Sequence, residues 1–126
     1  MVNSYTSFDA IYALVREIPS GQVASYGMVG SLVPGATARI AGYAMAAAPS
    51  GQNIPWQRVI NAQGKISARD GGARQRKILE EEGIIFSKSG KVKWADFRWQ
   101  GPSEAWLEVN GIEFIDFLEA QMKWPG

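Results

Sequence analysis

Three observations predict a domain that is mainly α with small β hairpins, of the winged-helix-like helix-turn-helix type. Two helical patterns flank a Pro34-Gly35 turn, short apolar segments are bracketed by glycine turns, and 46% of the 126 residues are hydrophobic, enough for one core. Cysteine and histidine are both absent, which excludes disulfides, thiolate metal sites and every His-based triad. No tight carboxylate cluster offers a Mg²⁺ site, so neither metal nor cofactor is expected. No apolar run reaches the length of a membrane span, and no basic segment leads into an apolar stretch. Membrane-spanning and secreted readings therefore lack support.

Over residues 7–17, Phe8, Ile11, Tyr12, Leu14, Val15 and Ile18 recur at helical spacing, with Ser7 placed as N-cap and Pro19-Ser20-Gly21 as the stop. Gln22-Val23-Ala24 leads into Ser25-Tyr26-Gly27 and a short helix over 27–32, which Pro34-Gly35 breaks. The second helix of the pair spans 37–48 and is built largely from alanine and glycine, with Arg39 almost its only charge. Alanine favours helix and close packing. The same smoothness would let the helix enter a narrow space such as a DNA minor groove, and both readings stand.

A loop follows over 48–53, and extended segments at 56–61 and 64–67 suggest a hairpin around Ala62-Gln63-Gly64. A helix over 73–82 ends at Gly83. Ile84-Ile85-Phe86 and Val92-Lys93-Trp94 flank Ser89-Gly90 as a second small hairpin. The last helix, over 113–122, places Phe114, Phe117, Leu118 and Met122 on one side. The chain divides into a domain over 1–98 and an acidic, aromatic extension over 99–126. Trp94, Trp99, Trp106 and Trp124 lie in the last third of the chain and read as packing residues of a late-docking segment.

Net charge is +1 but unevenly placed. Arg39, Arg58, Lys65, Arg69, Arg74, Arg76 and Lys77 face only Asp70, whereas Glu104, Glu108, Glu113, Asp116 and Glu119 face only Lys123. A basic middle suits a polyanion, although solvated faces also vary in this way.

Five motifs fall in order: Ile18-Pro19-Ser20-Gly21-Gln22-Val23, Ser25-Tyr26-Gly27, Ala38-Arg39-Ile40-Ala41-Gly42-Tyr43-Ala44-Met45, Ile54-Pro55-Trp56-Gln57-Arg58-Val59, and Leu79-Glu80-Glu81-Glu82-Gly83. Over roughly 7–86 they resemble the DNA-binding domain of the O6-alkylguanine-DNA alkyltransferases, whose active-site motif is Pro-Cys-His-Arg-Val. Here Trp56 stands where that family has its acceptor cysteine and Gln57 where it has the activating histidine. Neither can serve as thiolate nucleophile or general base. Glu82 matches the glutamate that orients that histidine, which leaves it a structural role. Ala48 replaces a hinge asparagine, and Arg69 occupies the place of a small hydroxyl residue. The whole set is similar to the alkyltransferase-like proteins, which bind alkylated guanine without repairing it.

The resemblance implies no catalytic residue. It implies an alkylguanine pocket of Tyr26, Trp56, Val59 and Arg69, and DNA contacts from Tyr26, Gly27, Thr37, Ala38 and Arg39. Arg39 would fill the space left by a flipped guanine while Tyr26 crowds the 3′ phosphate. The implied partners are double-stranded DNA containing O6-alkylguanine and nucleotide-excision-repair proteins. The expected state is a monomer, cytoplasmic on a bacterial nucleoid or nuclear in a eukaryote. A sequence-specific transcription regulator is the alternative, but its recognition helix would carry polar base-reading side chains. A glycosylase-like activity from Glu80, Glu81, Glu82 or Asp70 is disfavoured, because consecutive glutamates on a helix point in different directions.

Overall fold

The computed structural model describes residues 4–68 and 71–126, with side chains from residue 8 onward. The first helix, α1 (Ser4–Val15), begins ahead of the Ser7 cap expected from the sequence and stops short of Glu17. Apolar periodicity marks where a helix meets the core, not where its backbone starts. At the other end, Glu17 N–H donates to Leu14 O at 2.9 Å and Ile18 N–H to Val15 O at 3.0 Å, so the last turn tightens to 3₁₀ geometry. Ile11, Leu14 and Val15 are completely buried. The Tyr12 hydroxyl donates to Ala44 O at 2.8 Å, tying α1 to the helix that carries Ala44.

A short strand, β1 (Ala24–Ser25), runs directly into α2 (Tyr26–Ser31). Ser25 caps α2, its Oγ accepting from Met28 N–H at 3.1 Å. Thr37 caps α3 (Ala38–Ala46) in the same way, accepting from Ile40 N–H at 3.1 Å. The two helices approach so closely at Gly30 that a Cβ there would lie 2.6 Å from the Thr37 carbonyl carbon. Glycine is required at this crossing by backbone contact rather than by its own dihedral angles.

The expected hairpin at 56–67 does not form. Trp56–Arg58 is a single 3₁₀ turn, and β2 (Val59–Ile60) pairs in parallel with β1, Ala24 opposite Val59 and Ser25 opposite Ile60. Beyond β2 the chain folds back on itself locally, with Asn61 Oδ1 accepting from Gln63 and Lys65 N–H at 3.0 Å each. Residues 64–67 therefore offer β2 no partner strand. α4 (Gly72–Glu81) ends before Gly83, whose φ of +97° lies in the left-handed region that glycine tolerates. The second expected hairpin is present as one antiparallel bridge, Phe86 to Val92, but Trp94 opens α5 (Trp94–Phe97) instead of extending a strand.

The segment after residue 98 packs back on the core. α6 (Glu104–Val109), unforeseen in the sequence, and α7 (Phe114–Gln121) bring Leu107, Phe117 and Trp124 into the same cluster as Ile11, Met28 and Val59. Trp99 and Trp124 stack with centroids 6.1 Å apart, and Trp124 Nε1–H donates to Ser31 Oγ on α2 at 3.0 Å. The expected single apolar face of α7 is not observed. Phe117 points inward, while Phe114, Leu118 and Met122 are exposed. A smaller core of Val23, Ile60, Leu79, Ile84 and Val92 lies under α4.

Gly30→Ala should lower the free energy of unfolding by about 1–3 kcal/mol through backbone overpacking, read as a shift in the urea midpoint. Gly42→Ala is the control, because its Cβ would meet nothing nearer than Tyr26 Cδ1 at 4.0 Å. Similar losses for both would remove the α2–α3 crossing as the cause.

Candidate nucleic-acid interface

The turn that carries Trp56 is fastened from beneath. Glu82, at the end of α4, accepts from Gln57 Nε2 at 3.0 Å and from Arg58 Nε and Nη2 at 2.9 and 3.0 Å. Arg58 Nη1 also donates to Ile18 O at 2.9 Å, where the chain leaves α1. The wholly buried Gln75 amide donates to Gln57 O at 3.1 Å and Val59 O at 3.2 Å. Among the described residues no buried side-chain nitrogen or oxygen is left without a hydrogen-bond partner, as burial demands.

Above it opens a cleft of about 760 Å³, within the rough 300–1,000 Å³ range of small-molecule sites. Trp56 forms one wall, with Met45 and Ala46 of α3, Ile54 and Arg74 among the others. The Arg74 guanidinium carbon lies 5.8 Å from the Trp56 ring centroid, at cation–π distance. Asn53, also on the cleft, has a φ of +55°, a left-handed conformation that asparagine accepts more readily than most residues. Ser50 supplies a hydroxyl to the lining, where no carboxylate among the described residues stands to activate it, and the chain has no histidine. The surface is aromatic, apolar and cationic, suited to holding a planar base.

The second surface lies where α2 meets α3. Gly27 and Ala38 adjoin there, a Cβ on Gly27 standing 4.0 Å from that of Ala38, and half-buried Tyr26 packs beside Gly42. Thr37, Ala38 and Arg39 are exposed at the start of α3. Arg39 Nε donates to the Tyr43 hydroxyl at 2.7 Å, and its guanidinium carbon lies 5.7 Å from that ring. The arginine is thus held along the outer surface of α3, free of any carboxylate among the described residues.

The structure brings Tyr26, Gly27, Thr37, Ala38 and Arg39 together on this surface, and sets Trp56 on the cleft. It does not put Val59 in the cleft. That side chain is completely buried in the main core, and the next residue, Ile60, is completely buried in the smaller one, so both faces of β2 are covered. Tyr26 belongs to the α2–α3 surface and is not among the lining residues. Arg69, the fourth expected pocket residue, lies outside the described residues. Tyr43 and Gln75 were given no site role from the sequence, and Arg74 was named only as part of the basic middle. The i,i+4 spacing of Arg39 and Tyr43 was an available signal. Among the described residues, no group of three acidic side chains is placed to hold a metal ion.

A sequence model described as "6-O-methylguanine DNA methyltransferase, DNA binding domain" matches residues 6–84. The chain is 42% identical over 93 residues to a DNA base-flipping protein of Vibrio parahaemolyticus, covering 71% of this chain and 92% of that one. It is 36% identical over 101 residues to alkyltransferase-like protein 1 of Schizosaccharomyces pombe, covering 74% and 94%. Its fold is similar to S. pombe Atl1 crystallised with damaged DNA containing O6-carboxymethylguanine. The TM-score is 0.68 at 34% identity, over 78% of this chain and 98% of that one.

Burial pushes the Glu82 carboxyl up, but hydrogen bonds from Arg58 and Gln57, the Arg58 charge and the Gly21 backbone pull it further down, so its pKa lies below the ordinary 4.5. A pKa lower in the folded than in the unfolded chain stabilises the protein above about pH 4.5, and this stability is lost as pH falls through the folded value. Glu82→Gln should therefore lower the thermal midpoint near pH 7, with the difference from the native protein narrowing below about pH 4.5. A difference that stays constant on acidification would rule out an ionised Glu82 as the source.

Proposed function

The chain belongs to the family of the 6-O-methylguanine DNA methyltransferase DNA-binding domain, and we propose that it is a non-enzymatic sensor of O6-alkylguanine in duplex DNA. The carrying observation is Trp56, an aromatic wall on an open cleft at the position of the family's nucleophile. Unpairing and unstacking a guanine costs a few kcal/mol. Stacking on an aromatic side chain returns about 1–3 kcal/mol, and Arg74 adds an electrostatic contact at the same ring. Arg39, long, cationic and exposed, is suited to enter the duplex and occupy the vacated space.

Binding ends without reaction for a chemical reason. Transfer requires a thiolate or an equally activated nucleophile, and the chain has no cysteine and no histidine. Glu82 already accepts three hydrogen bonds, and they hold it ionised at a position that supports the turn. A small lesion held in a bulky complex becomes an obstacle that nucleotide-excision-repair proteins can find, and we extend the proposal to their recruitment. The similarity to Atl1 bound to damaged DNA supports the lesion-binding part of this reading.

The test compares two duplexes that differ only in guanine or O6-methylguanine at one position. The native chain should prefer the lesion by about tenfold or more, and equal affinities would overturn the proposal. Trp56→Ala should weaken lesion binding by about 5- to 150-fold, the range expected for one lost base stack. Arg39→Ala should bring the lesion preference towards unity, and an unchanged preference would remove Arg39 from the flipping step.

A further inference from the structure

The α6–α7 segment presents a surface that neither the Trp56 cleft nor the α2–α3 interface uses. Ile115, Leu118 and Met122 are exposed by 60%, 36% and 84%, and with Phe114 they form one stripe along α7. The stripe adjoins a groove of about 310 Å³ between α6 and α7. Leu107, Ile112 and Phe114 make its apolar part, and Glu104, Glu108 and Glu113 its acidic part. None of the five acids from Glu104 to Glu119 is ion-paired among the described residues, where the ion pairs are Arg58–Glu82 and Arg76–Glu80.

From this arrangement we propose that the α6–α7 face docks a basic amphipathic helix of a partner protein. A lysine or arginine has an aliphatic stem and a charged head. In the groove the stem would lie on Leu107 and Ile112 while the head meets Glu104, Glu108 or Glu113. Apolar side chains one helical turn apart on the same partner would cover Ile115, Leu118 and Met122. Charge selects this occupant over others. DNA phosphates and anionic lipid are repelled by the three carboxylates of the groove, Glu104, Glu108 and Glu113, and a second copy docked face to face would set like charges together. The surface shares no residue with the lesion site, so this inference goes beyond the proposed function and stands or falls separately.

The probe is a synthetic amphipathic peptide of leucine and lysine, titrated into the isotope-labelled full chain and followed by NMR. Shifts should concentrate on Leu107, Ile112, Ile115 and Leu118, and affinity should fall with added salt. The double variant Ile115→Glu, Met122→Glu should bind about tenfold or more weakly. Because both side chains are exposed, its circular dichroism and DNA binding should stay unchanged. The double variant Glu108→Gln, Glu113→Gln should lose several-fold. Comparable binding of a leucine–glutamate peptide, shifts centred on Trp56 or Arg39, or no shifts at all would overturn the proposal. So would a concentration-dependent dimer of the native chain that Ile115→Glu dissociates, which would assign the face to a second copy.

Discussion

One carboxylate, Glu82, fastens the elements around the Trp56 cleft. It accepts hydrogen bonds from two successive residues of the 3₁₀ turn, Gln57 and Arg58, and Arg58 in turn reaches Ile18 O. The end of α4, the exit of α1 and the turn bearing Trp56 are thereby joined through a single charged acceptor. Such charge-assisted bonds are about twice as strong as neutral ones. In the alkyltransferases that the sequence resembles, the matching glutamate orients a histidine. Here an amide takes the histidine's place. The glutamate is retained beside a group unable to shuttle a proton at neutral pH, because an amide side chain does not titrate there.

The cleft and the α2–α3 surface are connected by one helix. Arg39 lies near the start of α3, and Met45 and Ala46, at its end, help to line the cleft. At 1.5 Å per residue the two surfaces are separated by about 9 Å along the helix axis. The position of α3 therefore sets both, and it is determined from two sides. Gly30 allows α2 to touch the Thr37 backbone, and the Tyr12 hydroxyl holds Ala44 O. Burial and the Asp9 carboxylate push the Tyr12 phenol pKa up, which keeps it a donor. Loosening either contact would move the arginine relative to the pocket.

Much of this was legible in the chain, and the failures have physical causes. α2, α3 and α4 were read within a residue or two, because Thr37 and Gly83 satisfy or end backbone hydrogen bonding locally. β2 was misread as half of a hairpin, because its partner is Ala24–Ser25, far back in the sequence, and alternation does not say who the partner is. Val59 was placed in the pocket on motif alone, although it opens a strand whose two side chains are both buried. Trp56 was evident from its motif. Arg74, stacked on that ring, was not, since it comes from another helix. On α7 the apolar residues occupy both an inward and an outward face, and a list of hydrophobic positions cannot separate the two.

The central claim is that Trp56 made a reactive site into a binding site. Its most direct test follows the alkyl group itself. Duplex DNA with a single O6-methylguanine, labelled on the methyl carbon, is saturated with the full chain and then separated into protein and DNA. The expected result is a retarded complex whose label remains entirely on the DNA as O6-methylguanine. Label bound covalently to the protein, or released from the DNA, would contradict a site that only binds.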